Sequence, residues 1–551
     1  MTGSAAIHFN WEAFWAQFLY DRESPLLFNN GFFVYFFFLF IILFYVLRNH
    51  QRARTYVFCL FSLYFFYKAS GVFVLLVLLS AIIDFVLSNR IYNSKNKGGK
   101  KILLLCSIVF NLSLLIYFKY TNFFVELSNL AFHTHFSILN VLLPVGISFY
   151  TFENISYSID VYKGEFKPTD KFSEYLLFLS FFPKLVMGPI VRAKDFVPQI
   201  IQPYQISEHD LKKGFYLIFS GLFKKLIISD YITLNLVNYI FDDPKLHTGL
   251  ENLIGVYGYA FVIYCDFSGY SDVAIGIALW LGFRIPPNFL SPYQSKSITE
   301  FWRRWHISLS SWLRDYLYIP LGGNRNWSLA TLISSLLFIS GIFVASTHLF
   351  HLSYALSACI VGSITFILLL PALLTREQRG LAASANLLTT MLLGGFWHGA
   401  SWNFILWGSF HGIGLAIHKI WLIFPGKRRE AINDNKVFNI LSILLTFHFV
   451  CFTWIFFKAV DVHTALAMIE QIVYNFDANS FFPFYENYHT VVWLMFIACI
   501  LHFIPDNYAD KVMSSMGKVS LVYYLILFFV FILIYSFFKS SEQVHPIYLQ
   551  F

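Results

Sequence analysis

Two histidines stand where an ionisable side chain needs a reason. His398 lies in MLLGGFWHGASWNFILWG, Met391 to Gly408, between glycines and tryptophans, and His306 lies in FWRRWHISLSSWL, Phe301 to Leu313. Neutral imidazole can take the proton of a hydroxyl near neutral pH. Gly394, Gly395 and Gly399 would let backbone and substrate approach His398 closely, with Trp397 and Trp402 walling a narrow tunnel. A satisfied structural histidine is the competing reading.

Two carboxylates raise the same question. Asp266 and Asp272 lie in YCDFSGYSDVAIGIALWLGFRIPPNF, among small and aromatic residues, beside a Gly/Ser stretch that could break a helix at membrane depth. Uncompensated, each would cost a few kcal/mol at a bilayer centre, so each needs a wet cavity or a partner. Buried structural acids bonded to backbone N–H groups or a nearby arginine are the alternative to a direct chemical role.

The stretch from Ser297 to Arg325 has a helical period. Trp302, Trp305, Leu309, Trp312 and Leu313 follow one apolar stripe, while Arg303, Arg304, Arg314 and Asp315 supply charge. Ser297 or Thr299 could cap its start, and Pro320 ends it. Such a helix suits the membrane–water boundary. Arg303 and Arg304 would equally suit the phosphates of an anionic donor, although snorkelling alone accounts for them.

The elements that position these residues follow from composition. Of 551 residues, 57% are hydrophobic, 20% aromatic and only 13% charged, against roughly a quarter charged in a soluble domain. The chain therefore reads as an all-α, polytopic integral membrane protein. Apolar segments recur along it, some shorter than the roughly 20 residues of a full span, so re-entrant or interfacial helices accompany about 11 to 13 expected crossings. Basic clusters at Arg48 to Arg54, Arg90 to Lys101 and Lys419 to Lys436 are assigned to the cytoplasm, which puts the N-terminus outside. Residues 1–30 read as an extracytoplasmic or interfacial lead-in, and 31–551 as the membrane domain. The net charge of +8 is mostly loop asymmetry and suggests no nucleic acid. Six cysteines lack C-x-x-C spacing and no metal-ligand motif occurs, so no metal is expected.

Longer words carry a resemblance. LPVGISFYTFENISYSIDVYKG (Leu143 to Gly164), FFPKLVMGPIVRAKDF (Phe181 to Phe196), CDFSGYSDVAIGIALWLGF (Cys265 to Phe283), FWRRWHISLSSWLRDYLYIPLGGN (Phe301 to Asn324), TMLLGGFWHGASWNFILWGSFHG (Thr390 to Gly412), TWIFFKA (Thr453 to Ala459) and PIYLQF (Pro546 to Phe551) span nearly the whole chain. They resemble the membrane-bound O-acyltransferase family, in the bacterial branch that contains the alginate O-acetyltransferase membrane subunit and the teichoic acid D-alanyl transfer protein. The resemblance implies a helical core with a central tunnel, His398 as the catalytic histidine and His306 as a second functional histidine. It also implies a multi-pass protein of the bacterial inner membrane and a cytoplasmic acyl thioester, most simply acetyl-CoA, as donor without a tightly bound cofactor. The acceptor would be an extracytoplasmic polysaccharide or envelope polymer, and the partner an extracytoplasmic SGNH-type acetyltransferase or esterase. D-alanyl transfer from a carrier-protein thioester and a non-enzymatic polysaccharide or lipid transporter remain as alternatives.

Three departures from the family pattern stand out. Lys184 replaces a usual histidine and Lys458 a usual arginine, and neither is assigned to the active site. Residues 329–370 form an extra hydrophobic hairpin whose turn contains His348 and His351, more simply polar turn residues than metal ligands.

Overall fold

An apolar chain in lipid must satisfy its backbone internally, and helices are the regular structure of the described residues. The computed structural model describes residues 11–504 except 23–24, 29, 327, 349–352, 360, 364, 366–377 and 423–434, together with 511, 515, 526, 530, 544, 546 and 547. Five described stretches are helical, long and apolar enough to cross a membrane: Gln51–Asn93, Lys97–Asn129, Gly249–Trp280, Lys436–Lys458 and Ala478–Phe503. Of the N-terminal lead-in, residues 1–10 lie outside the described residues, and Trp11–Ala16 is a short helix with Trp11 and Trp15 exposed.

The Asp266–Asp272 segment is not broken. Gly249–Trp280 is one helix of 32 residues that runs through the Gly/Ser stretch. Its glycines serve packing: a methyl on Gly269 would come within 2.6 Å of the Gly221 carbonyl oxygen, and one on Gly276 within 2.6 Å of that of Gly214. Further back in the chain, the apolar stretch around Phe181 is interrupted, with a helix at Phe172–Ser180 and a short one at Phe182–Leu185.

The chain divides into two compact units. The first comprises residues 1–219 and 272–285. Its aromatic core centres on Phe182, whose ring packs against Phe61 at 4.9 Å and Phe65 at 5.4 Å. A buried polar network ties its helices: Asp84 accepts from Ser107 and from Asn111 (2.6 Å), Asn154 donates to Asn111 (3.1 Å), and Tyr175 donates to Asn154 (2.7 Å). Lys184 is explained here, since its ammonium pairs with the buried Glu153 carboxylate, which also accepts from the Val191 N–H at 3.1 Å. It belongs to a structural ion pair.

The second unit comprises residues 220–271 and 286–551. Gln378–His398 and Trp402–Trp421 form a helical hairpin with His398 at its tip. Lys436–Lys458 packs beside it, and the Asn403 amide donates to the Ala459 carbonyl at 2.7 Å, tying the tip to the end of that helix. Leu329–His348, the first half of the extra segment, packs on the Gln378–His398 helix through Ile342 against Leu388. Thr331 donates to Asn386 at 2.7 Å, and Asn386 donates to the carbonyls of Gly323 (2.8 Å) and Asn326 (2.9 Å). His348 closes the helix, and His351 lies outside the described residues.

Candidate active site

The hairpin holds His398 by close helix packing. A methyl on Gly408 would strike the Met391 carbonyl oxygen and reach within 3.2 Å of the Gly395 Cα, so the two helices cross with almost no side chain between them. A methyl on Gly399 would run into the Phe404 ring. Gly395 and Gly399 thus permit close packing at the hairpin. His398 ends the first helix, 5% exposed. Its ring is flanked by Trp397 at 4.9 Å, Trp407 at 5.0 Å and Phe457 at 5.2 Å, with Phe404 at 6.5 Å.

His306 also contacts Trp397, its ring 6.3 Å from that indole. The backbone explains its placement. The expected continuous helix from Ser297 is interrupted: Ile298–Arg304, capped by Ser297, gives way at His306 to a left-handed residue (φ 43°), and Ile307–Leu313 follows. That conformation is uncommon outside glycine and costs energy that neighbouring contacts must offset. Here Asn288 provides them. Its Oδ1 lies 3.1 Å from His306 Nδ1 and accepts from the N–H (3.2 Å) and hydroxyl (2.9 Å) of Ser308, while its carbonyl accepts from the Ile307 N–H at 2.9 Å. Because the Ser308 N–H donates to the same oxygen, the amide orientation is fixed. His306 therefore carries its proton on Nδ1, which leaves the lone pair on Nε2. Phe267 packs edge-on at 4.6 Å, and the imidazole is fully buried.

The other sequence candidates separate. Trp397 joins the two histidines, whereas Trp402 opens the second hairpin helix half-buried. Trp305 is core, stacked on Phe301 at 5.6 Å and against Trp454 at 5.0 Å, and Leu309, Trp312 and Leu313 of the same stripe are buried with it while Trp302 is half-buried. Arg304 pairs with Glu300 (2.9 Å) and donates to the Leu290 carbonyl, while Arg303 is exposed. Asp266 is held by Lys225 at 2.6 Å and by the Ile547 N–H at 2.9 Å, and Lys225 also pairs with Asp230 at 2.7 Å. The partner is a lysine, not the arginine considered from sequence. Asp272 is half-buried on the same helix, in the first unit.

Three participants were not singled out from sequence. Asn288 sits directly after Pro286 and Pro287, a position that signals a turn and no more. Lys225, in GLFKKLIIS, is an intramembrane cation whose apolar context was a usable signal. His411 accepts from the Trp302 indole at 3.3 Å and contacts the Thr453 hydroxyl at 3.0 Å. With both ring nitrogens engaged, it is a satisfied core histidine.

Comparison with known proteins decides the family. A family model described as "MBOAT, membrane-bound O-acyltransferase family" matches residues 171–370, which include His306. The peptidoglycan O-acetyltransferase of Helicobacter pylori is 31% identical over 478 residues, 81% of this chain and 80% of that protein. The chain belongs to the membrane-bound O-acyltransferase family. This O-acyltransferase is also similar to the probable alginate O-acetylase of Pseudomonas aeruginosa, at 37% identity over 67% of the chain, and spans 60% of that relative's length. It is 27% identical to the teichoic acid D-alanyltransferase of Bacillus subtilis over 59% of the chain and 71% of that protein. It is a multi-pass membrane acyltransferase.

Proposed function

We propose that this O-acyltransferase of the bacterial inner membrane takes the acetyl group of cytoplasmic acetyl-CoA and passes it to a hydroxyl on an extracytoplasmic envelope polymer or polysaccharide, with an SGNH-type partner outside completing delivery. His398 is the general base. Its imidazole takes the acceptor hydroxyl's proton as that oxygen attacks the thioester carbonyl. The C–S bond then breaks, and the leaving thiolate recovers the proton from the imidazolium. His306, held as the Nδ1–H tautomer, presents Nε2 as a second polar contact for donor or intermediate.

What carries the reading is that two buried histidines both contact Trp397, at 4.9 Å and 6.3 Å, among aromatic side chains. A dry site of this kind strengthens every polar contact with the reacting atoms. The named activities of the peptidoglycan and alginate relatives, at 31% and 37% identity, favour acetyl over D-alanyl transfer, whose relative stands at 27%. The test is purified protein supplied with radiolabelled acetyl-CoA or, separately, with D-alanyl-charged carrier protein. Label released or transferred from acetyl-CoA alone supports the proposal, and turnover of the carrier thioester alone replaces the donor.

A further inference from the structure

A cavity of about 310 Å³ lies in the second unit next to the His398 pocket. Its lining includes Phe404 and Phe457, the same rings that flank His398 at 6.5 Å and 5.2 Å. Tyr259, Ser401, Lys458 and Asp266 bring polar groups to it. Ligand pockets run from roughly 300 to 1,000 Å³, so this one admits a sugar-sized group rather than a length of polymer.

Two of these polar groups lack a match among the described residues. Tyr259 is 1% exposed, yet its hydroxyl has no hydrogen-bond partner among the described residues. A buried hydroxyl left unsatisfied costs roughly 1 to 3 kcal/mol. Lys458 is half-buried and makes no ion pair among the described residues, with Asp242 acting on it only from further away. The cavity's carboxylate does not answer this need, because Asp266 is already engaged by Lys225 and the Ile547 N–H, and Lys225 serves Asp230 as well. What the cavity offers is an ammonium, a phenol and a serine hydroxyl, a donor set suited to an oxygen-rich anion.

The position fits the acceptor side. Lys458 ends the helix Lys436–Lys458, whose other end adjoins the basic stretch assigned to the cytoplasm. Its 23 residues rise about 35 Å at about 1.5 Å each, enough to carry Lys458 to the opposite face. We propose that this cavity is an acceptor subsite that takes a carboxylate-bearing sugar unit, with Lys458 and Tyr259 binding the carboxylate and Phe404 and Phe457 directing the unit's hydroxyl toward His398. This rests on the acyl-transfer reading above and names the class of acceptor.

Saturation-transfer NMR on the full-length protein in detergent tests it, using methyl glucuronide, N-acetylmuramic acid and neutral methyl glucoside as probes. At least one acid should bind about tenfold more tightly than the glucoside, and the difference between the two acids identifies the carboxylate's source. Lys458→Met should weaken that binding about tenfold, Lys458→Arg should retain it, and Tyr259→Phe should weaken it severalfold. The inference is overturned if neither acid binds, if the glucoside binds as tightly, or if Lys458→Met and Tyr259→Phe both bind like wild type. Acetyl-CoA turnover by the same wild-type preparation separates the two readings. Turnover without acid binding removes the subsite alone, and acid binding without turnover removes the donor assignment alone.

Discussion

His306 Nδ1 lies 3.1 Å from Asn288 Oδ1, an oxygen that also receives the N–H and hydroxyl of Ser308. One amide thus fixes both the tautomer and the ring direction of a buried imidazole in a strained backbone. Asn288→Ala should free the ring and lower acetyl turnover by about 100-fold, the scale of a misplacement near 1 Å. The effect should fall on kcat more than on donor binding. Kinetics of the purified variant decide it, and wild-type turnover would remove His306 from the mechanism.

Asp266 calls for a different outcome. Its carboxylate is matched by Lys225 at 2.6 Å, and both are buried. Asp266→Asn leaves Lys225 with Asp230 alone, and breaking a buried pair costs about 3 to 5 kcal/mol. Melting temperature and yield should fall together with activity. An inactive Asp266→Asn protein of unchanged melting temperature would give Asp266 a chemical role.

The glycine contact at the hairpin makes a third prediction. Gly408→Val forces a branched side chain against Met391 and Gly395, an overpacking that costs typically 1 to 3 kcal/mol. Turnover should fall with stability because His398 rides on the displaced helix. Gly362→Ala is the control, since no described residue lies within 4 Å of the added methyl. Thermal melting of the two variants should differ in that order, and equal melting would refute the close crossing.

Composition and the recurrence of apolar segments made the all-α membrane class legible, and the spacing of tryptophans and glycines around His398 marked the hairpin. Segment boundaries were less legible. Apolar periodicity does not distinguish a 32-residue helix with small residues from two short spans, because the packing of Gly269 and Gly276 decides it. The stripe from Trp302 to Leu313 matched one continuous helix, but the left-handed turn at His306 depends on Asn288, a contact across 18 positions. Lys184 read from sequence as a departure from the family pattern, and the partner that explains it, Glu153, lies 31 positions away. Long-range polar pairing of this kind leaves no local period in a sequence.

The extra segment is separable by its contacts. Leu329–His348 is tied to the His398 helix through Thr331 and Asn386 at 2.7 Å. Asn386→Ala removes the acceptor for Thr331 and both donors to Gly323 and Asn326, and should cost roughly 1 to 3 kcal/mol in melting experiments. Replacing residues 329–370 with a short polar linker should leave acetyl turnover within about twofold. A larger loss in a normally folded variant would assign that region a part in catalysis or partner binding.

The central claim is that His398, 5% exposed and ringed by Trp397, Trp407 and Phe457, is the base for acyl transfer. The most direct measurement is acetyl transfer by His398→Ala, taken with its acetyl-CoA affinity and melting temperature. Transfer should fall by about 100-fold to 10,000-fold, the range for a positioned acid or base, with donor affinity and melting temperature close to wild type. Near-normal transfer, or a loss that merely follows a collapsed melting temperature, would contradict it.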